Sequence, residues 1–120
     1  MKYLCDFENR EAKEMLPGVK IRTFWGKEML LSLADLDANT TVPMHSHLHE
    51  QAGTIISGEL EMTINGEKRL FKDGDTYIIP GNVQHEAVTG NKPAQILDIF
   101  TDRFRHAREP QRPVDRHFVH

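Results

Sequence analysis

Between residues 19 and 100 the chain is cut into short stretches of five to nine residues, and none keeps the three-to-four-residue spacing of an amphipathic helix. They read VKIRTFW (19–25), EMLLSLADL (28–36), GTIISG (53–58), ELEMTI (59–64), EKRLFK (67–72), TYIIP (76–80), QHEAVT (84–89) and AQILDIF (94–100). Asn65-Gly66 separates two of them and is the strongest hairpin signal in the chain; Asp73-Gly74-Asp75 and Pro80-Gly81-Asn82 mark further turns. Regular short strands with Gly- and Asn-rich turns predict an all-β fold, an antiparallel sandwich or small barrel. Such a barrel brings inward side chains of separate strands to one central point.

The flanks read differently. Residues 1–16 are polar with Phe7, Met15 and Leu16 interspersed, and NREAKEML (9–16) is expected to form a short helix ended by Pro17-Gly18. We divide the chain into an N-terminal segment (1–18), a barrel (19–102) and a C-terminal arm (103–120). The arm is basic and carries prolines, which reads as an irregular tail, packed on the barrel or a partner subunit or else without order. At 120 residues, one domain can bury roughly two-thirds of its unfolded surface, so neither disulfide nor structural metal is required. Cys5, the single cysteine, excludes an intrachain disulfide and a cysteine-based zinc site. A net charge of −3 with scattered Lys and Arg argues against nucleic acid or an anionic membrane as partner. With no signal-peptide pattern and no apolar run near the ~20 residues of a membrane helix, a cytoplasmic protein is expected.

The stretch PMHSHLHEQAGTIISG (43–58) places His45, His47 and His49 at alternate positions. On an extended strand, residues two apart share a face, so His45 and His47 can hold one transition ion together. Further ligands must come from farther along. Gln51 has the right parity and Glu50 the wrong one, though Glu50 stays open as the alternative; His85, after the turn at residue 80, is the natural ligand from across a barrel.

His45, His47, Gln51 and Gly58 meet the pattern H-x-H-x3-Q-x6-G, and Gly74, Pro80, Asn82 and His85 meet G-x5-P-x-N-x2-H. Together they resemble the two motifs of the cupin superfamily, small double-stranded β-helix (jelly-roll) barrels with a metal inside. The resemblance spans about residues 25–100. It departs in two places, since the first motif usually has glutamate where Gln51 stands, and the second a glycine where Asn82 stands. Asn also tolerates a left-handed turn. The resemblance implies one divalent transition ion on His45, His47, Gln51 and His85, with zinc, nickel, iron and manganese all open. Three imidazoles and an amide leave its charge uncompensated, which favours Lewis-acid chemistry on oxygen.

A second anomaly is Asp98 within AQILDIF, where alternation sets Ile96, Asp98 and Phe100 on one face. A buried, unpaired aspartate is costly and its pKa tends upward, so Asp98 is either a candidate acid or base beside a metal or a solvent-facing edge residue. HSHLHEQ, GELEMTINGE and LDIF are similar to the pectin-degradation cupins of the KdgF type, which open 4,5-unsaturated uronates to linear keto-uronates. That likeness implies catalytic roles for Asp98 and Phe100 and a substrate-holding arginine six residues after Asp98. Phe104 occupies that place, flanked by Arg103 and Arg105, so either arginine is a candidate. Trp25, Met44, Met62 and Tyr77 are candidates to line a pocket, with plain core the commoner role of such residues.

The expected function is metal-dependent ring opening of a small carboxylated sugar, with a homodimer implied by the fold. Two alternatives stand beside it: a metal-dependent dioxygenase or other small-molecule cupin enzyme, and a cupin that only binds a small ligand.

Overall fold

The computed structural model describes residues 3–101; Arg103, Arg105 and the expected C-terminal arm lie outside them. In chain order the strands are β1 (Lys13–Leu16), β2 (Val19–Trp25), β3 (Met29–Leu36), β4 (Thr41–His45), β5 (Gln51–Ser57), β6 (Glu59–Ile64), β7 (Glu67–Lys72), β8 (Thr76–Ile79), β9 (His85–Thr89) and β10 (Ala94–Thr101). They form two antiparallel sheets, one in the order β1-β2-β3-β10-β5-β8 and one in the order β4-β9-β6-β7. The two sheets enclose a flattened jelly-roll barrel, as the strand pattern predicts. Among the described residues no helix is long and apolar enough to cross a membrane.

Alternation along each strand decides which side chains enter the barrel. On β3 the inward residues are Leu30, Ser32, Ala34 and Leu36, and on β10 Ala94, Ile96, Asp98 and Phe100. Ile55, Leu60 and Ile79 are the most deeply buried apolar side chains and belong to the core between the sheets. Asn65 and Gly66 both have positive φ, 51° and 82°, the geometry a two-residue hairpin requires between β6 and β7.

The helix expected at residues 9–16 does not form. A single 3-10 turn, Phe7–Asn9, is capped by Asp6, and β1 then pairs with β2. Tertiary contacts outweigh a weak helical tendency. Phe7 packs edge-on against Phe24 at 5.1 Å, Arg10 lies over the Phe24 ring at 4.2 Å, and Met15 packs on the core. β1 also supplies main-chain partners to the outer edge of β2.

Candidate metal centre and active site

β4 ends at His45, so the strand argument for the histidines holds only to that residue. His45 is the register partner of His85, the first residue of β9, and a bulge between Val42 and His45 precedes the pair. His47 and His49 lie in the loop at 46–50, whose shape is set by the turn before β9. Asn82 adopts a φ of 67° and its amide donates to the His47 carbonyl at 2.6 Å. This is the left-handed conformation expected of an asparagine at that motif position. Gly81 lies so close to the Leu48 carbonyl that a Cβ there would collide with it. On the far side, the Thr101 amide donates to the Glu50 carbonyl at 3.1 Å, which brings the loop into Gln51, the first residue of β5.

Loop and turn together bring three imidazoles into one cluster, tilted or edge-on to one another. Ring centroids are 4.3 Å apart for His45 and His85, 5.1 Å for His47 and His85, and 5.7 Å for His45 and His47. One ligand atom from each lies within 4.8 Å of the others. Each Nδ1 meets a main-chain carbonyl: His45 that of Pro43 at 2.8 Å, His47 that of His49 at 3.0 Å, His85 that of Val83 at 2.9 Å. A carbonyl only accepts, so Nδ1 carries the hydrogen and Nε2 keeps its lone pair, the tautomer a metal ligand needs. Burial lowers the pKa of His47 and His85, which favours the neutral ring in both.

The donor set fits a metal ion by its own chemistry. His85 Nε2 is buried and without a hydrogen-bond partner. Gln51 Oε1 stands 3.1 Å from His47 Nε2, and with the proton on Nδ1 both atoms are acceptors. A shared cation resolves that opposition and satisfies the orphaned nitrogen as well.

Asp98 adjoins the cluster and faces inward, not toward solvent at an edge. It is buried on β10, and its Oδ1 accepts from the Tyr77 hydroxyl at 2.5 Å and from Gln51 Nε2 at 3.1 Å. Burial raises its pKa from 3.8 to about 6, although both donors pull the other way. Burial and the neighbouring Asp98 charge push the Tyr77 phenol well above its ordinary value. Phe100, one inward position beyond Asp98, meets the edge of His47 at 5.6 Å.

These side chains line one end of a cavity of about 430 Å³ between the sheets, and Val19, Ile21, Leu36, Val42, Met62 and Ile96 line the rest. No Lys or Arg is among its described lining residues. Glu50 is exposed and does not line the cavity, whereas Gln51 does. The His49 ring stands 6.3 Å from that of His47 and is also outside the cavity wall. Met44, Met62 and Tyr77 line the cavity and Trp25 does not; Met62 and Tyr77 also belong to the core, whereas Met44 is exposed. Tyr77 stood in the sequence as a candidate for pocket or core, and the cavity takes it up; its hydrogen bond to Asp98 left no trace in the sequence. Gly53 did leave a signal, since an isolated glycine inside a strand marks a close approach.

The cupin domain family model matches residues 32–100. The pectin degradation protein KdgF of Dickeya dadantii (strain 3937) is 26% identical over 104 residues, covering 85% of this chain and 94% of that protein. The H2HPP isomerase of Bacillus subtilis is 29% identical over 92 residues, 75% of this chain, but that match spans only 39% of the isomerase. The solved structure of KdgF from Halomonas sp. superposes with a TM-score of 0.74 at 23% identity, covering 78% of this chain and 87% of that one. An RmlC-like cupin from Shewanella frigidimarina superposes with a TM-score of 0.77 at 22% identity, covering 82% and 89%.

Proposed function

The chain belongs to the cupin domain family, and from that premise we propose that it is a metal-dependent isomerase that opens a 4,5-unsaturated uronate from pectin or alginate breakdown to a linear keto-uronate. The observation that carries this is the junction of an imidazole cluster and a buried acid through one amide, Gln51, at the end of one cavity. The likeness to a pectin degradation protein over most of both chains supports the substrate class.

A divalent ion held by His45, His47, His85 and Gln51 would supply Lewis acidity toward a hydroxyl or carbonyl oxygen of the substrate. Ring opening breaks the C1–O bond of the cyclic hemiacetal: the C1 hydroxyl gives up its proton and becomes the aldehyde, and the ring oxygen takes a proton and becomes an enol. Conversion of that enol to the ketone takes one proton from oxygen and returns one to carbon. No oxidant and no net proton is consumed. Asp98, with a pKa near 6, serves as base and then acid at near-neutral pH. Phe100 walls the reacting end beside His47 and keeps water from it. Arg103 or Arg105 would hold the carboxylate with a forked pair of hydrogen bonds. A cytoplasmic location and a pairing of barrels go with this proposal.

The cavity favours a second candidate substrate. Its volume and apolar walls, with no Lys or Arg among the described lining residues, suit an enolisable acid with an apolar ring as well as a sugar acid. One assay separates the readings. Metal is quantified on the purified protein, and loss of the conjugated absorbance of 4,5-unsaturated galacturonate is followed beside the enol absorbance of phenylpyruvate, with oxygen uptake recorded. Metal near one per chain, uronate loss that fails in His85→Ala and no oxygen uptake establish the uronate isomerase. Turnover of phenylpyruvate alone assigns the apolar substrate. Oxygen uptake assigns an oxygenase, and binding without conversion a ligand-binding protein.

A further inference from the structure

Asp98 on β10, Gly53 on β5 and Tyr77 on β8 form one row across three neighbouring strands. Adjacent strands lie about 4.8 Å apart, so side chains two strands apart do not ordinarily touch. Here they do, because the residue between them has no side chain. A Cβ on Gly53 would collide with both Asp98 Oδ1 and the Tyr77 hydroxyl. The Tyr77 ring is held from its other side by Phe71, edge-on at 5.6 Å.

The consequence lies in which carboxylate oxygen is left to work. Oδ1 takes two donors, the Tyr77 hydroxyl and the Gln51 amide. Both donations are spent on one atom, so a proton carried by Asp98 sits on Oδ2. No described residue donates to Oδ2, and Asp98 lines the cavity.

We infer that Tyr77 is a positioning residue: across Gly53, and together with Gln51, it pins Asp98 Oδ1 so that Oδ2 is the oxygen presented to the substrate. Its effect on turnover rests on the isomerase reading above; the clamp itself does not.

Two measurements test it on zinc-loaded protein. The first is the proton NMR spectrum, in which the wild type shows one far-downfield, slowly exchanging hydroxyl resonance that vanishes in Tyr77→Phe and moves in Asp98→Asn. The second is the kinetics of Tyr77→Phe and Gly53→Ala on 4,5-unsaturated galacturonate. Tyr77→Phe keeps the ring packing and lowers kcat roughly 10- to 100-fold with KM and bound zinc within twofold of wild type. Gly53→Ala gives a similar loss although the hydroxyl remains, and if it does not fold, Tyr77→Phe decides alone. Absence of the resonance from wild type overturns the clamp. A resonance present with kcat of Tyr77→Phe within twofold of wild type overturns its catalytic use. If wild type does not convert the uronate, the isomerase reading falls, and the resonance still decides whether Tyr77 holds Asp98.

Discussion

The side-chain amide of Gln51 donates to Asp98 Oδ1 at 3.1 Å and turns its own oxygen to His47 Nε2, also at 3.1 Å. One amide thus ties the acid to the imidazole cluster, and its orientation is fixed by what it touches. Reversed, its oxygen would face a carboxylate oxygen. This gives a physical reason for glutamine where the family motif usually has glutamate. Beside a buried aspartate, a second carboxylate would force one of the two to take a proton.

Gln51→Glu is therefore expected to destabilise the metal-free protein at pH 8 by roughly 1–3 kcal/mol, since two acids replace a donor–acceptor pair. The double variant Gln51→Glu/Asp98→Asn restores a donor opposite an acceptor and recovers most of that loss without recovering turnover. Thermal denaturation of the four proteins in a double-mutant cycle measures the coupling. Additive effects of the two changes would remove the Gln51–Asp98 bond from the account.

Asp98 also predicts a trade between stability and activity. Its folded pKa of about 6 lies above the ordinary 3.8. Between those values the folded protein binds more protons than the unfolded one, so stability falls as pH rises through the window. Above pH 6 the ionised carboxylate costs the fold roughly 3 kcal/mol. Asp98→Asn is expected to raise the melting temperature of metal-free protein at pH 8, to change it little at pH 3.5, and to abolish the turnover of the metal-loaded enzyme near neutral pH. Denaturation at a series of pH values checks the sign, and a gain of equal size at every pH would refute it.

The fold was legible because its strands are short, alternating and punctuated; β2, β6 and β7 have the boundaries that sequence alone marks. The pattern of β10 also placed Asp98 and Phe100 on one face, and the structure turns that face inward. What could not be read is what depends on contacts between distant segments. β1 exists because Met15, Phe7 and Arg10 find partners on the core and on Phe24, none of which is local. His47 faces the cavity from a loop, and it is the Asn82 amide at its carbonyl that holds that loop in place. The meeting of Tyr77 and Asp98 is a property of register across three strands, so neither residue's neighbours in the chain announce it.

Metal loading should be visible as stability. Nε2 of His85 is buried without a partner, so an ion relieves a cost as well as adding bonds. Zinc in thousandfold excess over its dissociation constant stabilises the fold by about 4 kcal/mol, if the unfolded chain does not compete. His85→Ala is expected to hold well under one zinc per chain and to lose the zinc-dependent rise in melting temperature. A chelator should return wild type, but not the variant, to a lower melting temperature. An unchanged rise in His85→Ala would exclude His85 as a ligand.

Among its described lining residues the cavity offers a uronate no guanidinium or ammonium for its carboxylate. If the substrate is a uronate held by such a side chain, that side chain lies outside residues 3–101, and Arg103 and Arg105 are the candidates that follow Asp98 most closely. A forked guanidinium–carboxylate pair contributes roughly 1.5–3 kcal/mol, or about 10- to 100-fold in KM. One of Arg103→Ala and Arg105→Ala is then expected to raise KM for 4,5-unsaturated galacturonate by that factor, while the other stays near wild type. The replacement with lysine should recover only part, because an ammonium cannot make the forked contact. If both alanine variants keep the wild-type KM, the carboxylate clamp is absent and the apolar wall formed by Ile21, Leu36, Met62 and Ile96 becomes the determinant of specificity. In that case Met62→Gln, which puts an amide into the wall at nearly constant volume, should raise KM for phenylpyruvate severalfold and leave zinc content unchanged.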